Sequence, residues 1–256
     1  MDIVVIMKQT FDTEAKIVLD GDGKIDGTGV NLVINPYDEF AIEEALKLKE
    51  RFGGEATVVC MGGERAQEAI RTALAMGCDK AVRIDDPALA DADEWVIAET
   101  LAKAVSAMPY DVILGGRIAV DDGAGQAPIR VAEALGVPSV GSILQLEIEE
   151  DTATVTRETD GGTERIEVKL PAVFTAQKGL NEPRYPSMMG IMKAKKKEIA
   201  VKSLADIGFG DAPAPKTKIV EFSLPNPRAG GKTIPGEPAD AARELARLLR
   251  DEMKVI

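Results

Sequence analysis

The 256-residue sequence contains no histidine, and that absence removes whole classes of chemistry. A Ser-His-Asp triad, a Cys-His pair and a histidine metal site are all ruled out. There are two cysteines, Cys60 and Cys78, which do not form a C-x-x-C pair. An iron–sulfur cluster held by four cysteines of this chain is therefore excluded. Cys60 lies in an apolar run and Cys78 follows a helix-ending glycine, so both read as reduced, buried thiols. No apolar run reaches the ~20 residues that a membrane-spanning helix needs. The start, Met1-Asp2-Ile3-Val4-Val5-Ile6, lacks the basic region of a signal peptide. A cytoplasmic protein without direct membrane insertion is the expectation. Positive charge is also scarce: 31 Lys and Arg stand against 43 Asp and Glu, a net charge of −12. That balance argues against nucleic-acid binding. The local exception, Lys193, Lys195, Lys196 and Lys197, reads as a solvated helix end.

What is present is a regular alternation. Apolar residues make up 45% of the chain, enough for a sizeable core. Residues 2–7 form a continuous apolar run of strand length, suited to a sheet buried on both faces. Asn35-Pro36 opens a helix that ends before Gly53-Gly54. Strand 56–61 leads to helix 64–76, strand 80–84 to helix 93–107, and strand 111–115 to helix 126–135. Strands alternating with helices predict βαβ units and a mostly parallel sheet flanked by helices, an α/β fold. Residues 16–19 and 30–34 are expected to pair across the turn at Asp20-Gly21-Asp22-Gly23. Beyond Pro138 the period changes to two over 143–149, 152–158 and 164–170, which predicts an added antiparallel section. From about residue 200, prolines punctuate a segment of little apolar periodicity that ends in an amphipathic helix over 238–253. The predicted organisation is a 1–199 nucleotide-binding domain and a 200–256 extended C-terminal arm that packs on a partner.

One loop carries the chemistry. Gly115 to Gln126 follows a buried strand and opens a helix, where glycines admit a phosphate and free amides favour an anion. A tight turn is the plain reading of the same glycines. Asn35-Pro36-Tyr37-Asp38, plainly a helix cap, stands to form the second wall of one cleft. No G-x-G-x-x-G follows a strand, and Gly231-Lys232-Thr233 lacks both the spacing and the helix of a P-loop. Further on, Leu180 stands in a polar loop stiffened by Pro183 and Pro186. An apolar residue on such a loop reads as a partner contact.

The run from Leu170 to Lys197, with Asn-Glu-Pro-Arg-Tyr at 181–185 and Ile-Met-Lys-Ala-Lys-Lys-Lys at 191–197, resembles the beta (small) subunit of electron-transfer flavoproteins. Asn35 to Ala45, Ile70 to Gly77 and Asp160-Gly161-Gly162 extend the likeness over nearly the whole chain. The resemblance implies a heterodimer with an alpha subunit that holds most of a redox-active FAD. It implies AMP in a site of the beta subunit's own, and acyl-CoA or related dehydrogenases as electron donors. Carried over, the cofactor-binding residues are Ile6, Asn35, Pro36, Tyr37, Asp38, Met61, Gly116, Arg117, Ile118, Ala119, Val120, Asp121, Asp122, Gly123, Ala124, Gly125, Gln126 and Ala127. Leu180 falls on the dehydrogenase anchor, and no catalytic or metal-binding residue is implied. Ala124, Gly125 and Ala127 replace the hydroxyl or amide side chains of many members, so phosphate contacts here rest more on backbone amides. Two alternatives stay open: an electron-bifurcating, NADH-oxidising form with a second FAD in the beta site, and a stand-alone ATP-binding protein of similar architecture.

Overall fold

The computed structural model describes residues 1–228 and 230–256; position 229 of the expected arm lies outside the described residues. The chain runs β1 (Asp2–Met7), β2 (Gln9–Phe11), β3 (Leu32–Ile34), α1 (Pro36–Phe52), β4 (Glu55–Met61), α2 (Ala66–Met76), β5 (Lys80–Ile84) and α3 (Glu94–Ser106). It continues through β6 (Val112–Gly116), α4 (Ala127–Leu135), β7 (Ser139–Glu149), β8 (Thr152–Thr159), β9 (Gly162–Lys169), β10 (Ala172–Ala176), α5 (Met188–Ala194), β11 (Ala200–Lys202) and α6 (Pro238–Arg247).

Nine strands form one sheet in the order β11-β5-β4-β1-β6-β10-β7-β8-β9. The six from β11 to β10 are mutually parallel, and β7 joins β10 in parallel as well. β7, β8 and β9 then pair antiparallel, as the period-two pattern predicts. In β1, Ile3, Val5 and Met7 enter one buried cluster while Val4 and Ile6 enter the other. Helices α1, α2 and α5 cover the first face, and α3 and α4 the second. Because both faces are covered, every position of the strand must be apolar, which accounts for the unbroken run. Each such Val or Ile, taken from water, contributes ~1.5–3 kcal/mol.

The 16–19 strand is a correction. β3 pairs antiparallel with β2, and residues 16–19 make only the bridge Leu19–Ile25. β2 continues directly from β1 and is further tied by Asp12 N–H to Asn31 O, 3.0 Å. Ile17 and Val18 find no covered face and stay exposed. The chain divides into one unit of Met1–Ile17 with Asp26–Val220 and another of Val18–Ile25 with Glu221–Ile256. Residues 200–220 stay with the first unit because β11 joins the sheet, Leu204 is buried, and Asp93 accepts hydrogen bonds from the Lys216 and Thr217 amides. In the second unit, α6 has no buried residue.

Candidate functional site

The strand order reverses at β1, whose neighbours β4 and β6 lie on opposite sides. Ligands of open α/β sheets bind beyond the carboxyl ends of the strands at such a point. A cleft of about 120 Å³ lies there. The ends of β1, β4 and β6 form its floor, the start of α1 and the β6–α4 loop form its walls, and α3 closes its side.

The two sequence segments expected to meet do meet. Asn35 does not cap α1 with its side chain. Its Nδ2 donates to Ile118 O at 2.9 Å, and its Oδ1 accepts from Val120 N–H at 3.2 Å, so it holds the opposite wall. The capping expectation for Asn35 is thereby corrected, because the loop carbonyl and amide compete for the same amide group. Asp38 goes deeper. Its Oδ2 accepts from the Lys8 amide and its Oδ1 from the Gly116 amide, each at 2.7 Å, joining the ends of β1 and β6. A Cβ on Gly116 would stand 2.4 Å from Asp38 Oδ1, so glycine is required for this approach. Burial pushes the Asp38 carboxyl up to about 7, against the opposing pull of the two amides.

The loop itself is drawn tight. Gly123 donates to Ala119 O at 2.9 Å and Ala124 to Asp122 Oδ1 at 2.8 Å. Gly125 has φ of 61° with Arg117 O 3.2 Å from the site of a Cβ, which a side chain would crowd. Gln126 makes no side-chain cap to α4; its Oε1 accepts from Arg130 Nε at 2.8 Å. The opening turn of α4 therefore leaves its amides without a side-chain cap beside the cleft, an arrangement suited to an anion. Lys8 Nζ binds Asp121 at 2.8 Å and Asp122 at 2.6 Å, cancelling charge that would repel such an anion. Burial works against the charged form of Lys8, but the two carboxylates outweigh it and raise its pKa.

Of the expected residues, Ile6, Asn35, Asp38, Met61, Gly116, Ile118, Ala119, Asp122, Ala124, Gly125, Gln126 and Ala127 line the cleft. Pro36, Tyr37, Arg117, Val120, Asp121 and Gly123 belong to the same two segments but are not on the lining. Met7, Lys8, Glu94, Ile97, Leu101 and Pro128 also line it and were not singled out by the sequence. Lys8 could have been found as the first residue past a buried strand; Ile97 and Leu101 look like any core stripe of a helix.

Leu180 is less open than its polar surroundings suggest. It is only 8% exposed and belongs to the core cluster rather than to a presented loop. The polar residues around it cause this by docking the loop on α1. Asn181 Nδ2 donates to Phe40 O and to Glu44 Oε2, each at 2.9 Å. Arg184 grips Glu43 with two bonds, at 2.8 and 2.9 Å, and reaches Glu50 at 2.5 Å. The apolar side chains that do face out are Tyr185, Met188, Met189 and Met192. They sit on a firm base: Gly190 lies against Ala75 O of α2, and Arg71 donates to the carbonyls of Ala194 and Lys197. Lys193, Lys195 and Lys196 are exposed beside them, while Lys197 donates to Cys78 O.

Residues 22–207 match the family model described as the electron transfer flavoprotein domain. The whole chain is 48% identical to the electron transfer flavoprotein subunit beta of Bacillus subtilis over the full length of both. It is 49% identical to that of Syntrophomonas wolfei, covering all of this chain and 98% of the relative. The chain belongs to the electron transfer flavoprotein family, as a beta subunit. Across a broader distance it is 38% identical to the subunit beta of Thermoanaerobacterium thermosaccharolyticum over 97% of its length. A beta subunit of this family implies an alpha subunit partner. Among the described residues, no helix is long and apolar enough to cross a membrane.

Proposed function

We propose that this beta subunit, paired with its alpha subunit, carries electrons from acyl-CoA or related dehydrogenases, with AMP in the β1/β6 cleft and FAD held mainly by the alpha subunit. The observation that carries the nucleotide reading is the cleft at the strand switch point, with the uncapped start of α4 opening into it. Its apolar side, Ile6, Met61, Ile97 and Leu101, suits a base, and the α4 amides suit one phosphate. FAD supplies the redox chemistry when bound. This chain's residues orient and enclose: Asn35 and Asp38 fix the two walls, and Lys8 offsets the acidic loop.

Electron exchange needs a surface for the donor. On the loop that Leu180 begins, the exposed Tyr185, Met188, Met189 and Met192, next to Lys193, Lys195 and Lys196, suit that surface. Methionine adapts its shape to an apolar pocket, and the lysines favour an acidic rim on the dehydrogenase. The unburied apolar residues of the second unit, among them Phe222, Leu224 and Leu245, suit packing on the alpha subunit.

The test is to denature the purified heterodimer and quantify what it releases. One FAD and one AMP per heterodimer supports the proposal. Two FAD and no AMP, with flavin reduction by NADH, overturns it in favour of the bifurcating form.

A further inference from the structure

Sulfur in this chain is divided sharply by burial. Its carriers are nine methionines and two cysteines. Cys60 and Cys78 are fully enclosed, Met7 and Met76 are buried, and Met1, Met61 and Met108 are half-buried. Three of the four exposed methionines stand together on α5: Met188 at 78% exposure, Met189 at 65% and Met192 at 66%. The fourth, Met253, belongs to the second unit. The short helix cannot turn its methionines inward. Ser187 Oγ caps its start by accepting from Gly190 N–H at 3.0 Å, and Arg71 donates to the carbonyls of Ala194 and Lys197 at its end. Gly190 and Ala194, one turn apart, face α2: Gly190 has no room for a Cβ against Ala75 O, and Ala194 is buried. On a 3.6-residue repeat, positions 188, 189 and 192 then fall on the opposite side.

We propose that Met188, Met189 and Met192 form a methionine-oxidation site, at which a peroxide converts the apolar face of α5 into a polar one. A thioether is a soft nucleophile, and where it is open to solvent an oxidant reaches it. At each residue the sulfur lone pair attacks one peroxide oxygen. An S–O bond forms as the O–O bond breaks, the sulfur is oxidised by two electrons, and with hydrogen peroxide the second oxygen leaves as water. Each sulfoxide sets a polar acceptor on a side chain suited to an apolar pocket. The two cysteines do not compete for the oxidant, because neither is open to it. The effect of the modification on electron entry rests on the docking reading of α5; the modification itself does not.

The experiment treats the purified heterodimer with hydrogen peroxide, maps sulfoxides by mass spectrometry, and follows flavin reduction by an acyl-CoA dehydrogenase charged with its substrate. Sulfoxide is expected at Met188, Met189 and Met192 at least ~10-fold faster than at Met7 and Met76, with donor-driven reduction slowed in parallel and restored by methionine sulfoxide reductases. Reduction by dithionite, which needs no docking, should keep its rate. The triple variant Met188→Leu, Met189→Leu, Met192→Leu stays apolar and cannot form a sulfoxide, so peroxide should leave its donor-driven rate at its own starting value. Met253→Leu should keep the wild-type sensitivity. Sulfoxide spread evenly over α5 and the buried methionines, or confined to Met253, overturns the site. A triple variant that loses its rate as steeply as wild type overturns the role of α5 in the loss. Sulfoxide on α5 with an unchanged donor-driven rate supports the site and overturns the docking reading instead.

Discussion

Replacing Arg184 by alanine is expected to destabilise the first unit by ~3 kcal/mol. The magnitude follows from what the side chain leaves behind. Glu43 is 6% exposed, and its carboxylate meets the guanidinium through two bonds at 2.8 and 2.9 Å. Without the guanidinium it keeps one backbone donor, Arg184 N–H at 3.1 Å, in a setting where water cannot fully replace the loss. Breaking a buried pair from one side costs ~3–5 kcal/mol, and the lower end applies because the Arg184 side chain is itself 36% exposed. The second partner, Glu50, is 57% exposed, so Glu50→Ala should cost no more than ~1 kcal/mol despite its shorter contact. Adding Glu43→Gln to Arg184→Ala removes the stranded charge and should recover a good part of the loss, a coupling that a double-mutant cycle reads directly. Urea unfolding followed by circular dichroism gives the midpoints for wild type, Arg184→Ala, Glu43→Gln, their double variant and Glu50→Ala. An Arg184→Ala variant within ~0.5 kcal/mol of wild type, or one no worse than Glu50→Ala, would refute the claim that a buried charge pair fastens this loop to α1.

Three further outcomes are expected. Gly125→Val should empty the nucleotide cleft, because it meets both a φ of 61° and Arg117 O at 3.2 Å, whereas Gly123→Ala, with open space around it, should lose only ~1 kcal/mol of stability and keep its nucleotide; nucleotide release after denaturation checks both. Leu180→Ala should lower stability by ~2–5 kcal/mol as a core truncation, while Met188→Ala should leave the melting temperature unchanged and slow flavin reduction by the dehydrogenase; the reverse pattern would restore Leu180 as the contact. Asp38 binds its proton more tightly folded, at about 7, than at its ordinary 3.8, so its contribution to stability falls as pH rises through that window. Urea midpoints at pH 4.5 and 8 should therefore differ by less in Asp38→Asn than in wild type, and an identical pH dependence would argue that the carboxyl is not held in this way.

Much of the fold was legible because it is written in periodicity. β1, β4 and β6 are covered on both faces, and unbroken apolar runs state that directly. The antiparallel β7–β9 section is stated by alternation. That the loop from Gly115 to Gln126 lines the cleft was legible because it joins the carboxyl end of a buried strand to a helix. What was not legible depended on partners far along the chain. Leu180 looked presented because its neighbours are polar, yet those neighbours are polar in order to reach Glu43 and Glu44. Both glutamates are buried, because Arg184 and Asn181 reach Glu43 and Glu44 from a distant segment. Asn35 was read as a cap from its position, and only the loop folded against it shows what its amide binds. The failed pairing of 16–19 with 30–34 has the same origin: β2, three residues long, carried too little pattern to compete on paper.

The two cysteines have a practical consequence. Both are 0% exposed, and burial pushes each thiol up to about 12. At neutral pH the thiolate fraction of either is therefore on the order of 10⁻⁵, and reagents that need a thiolate will pass them by. The chain is in effect already a cysteine-free background for labelling, without a single replacement in its core. Tyr185→Cys, at a site 95% exposed on the outward face before α5, would place one reactive thiol where a fluorophore could follow dehydrogenase docking in real time.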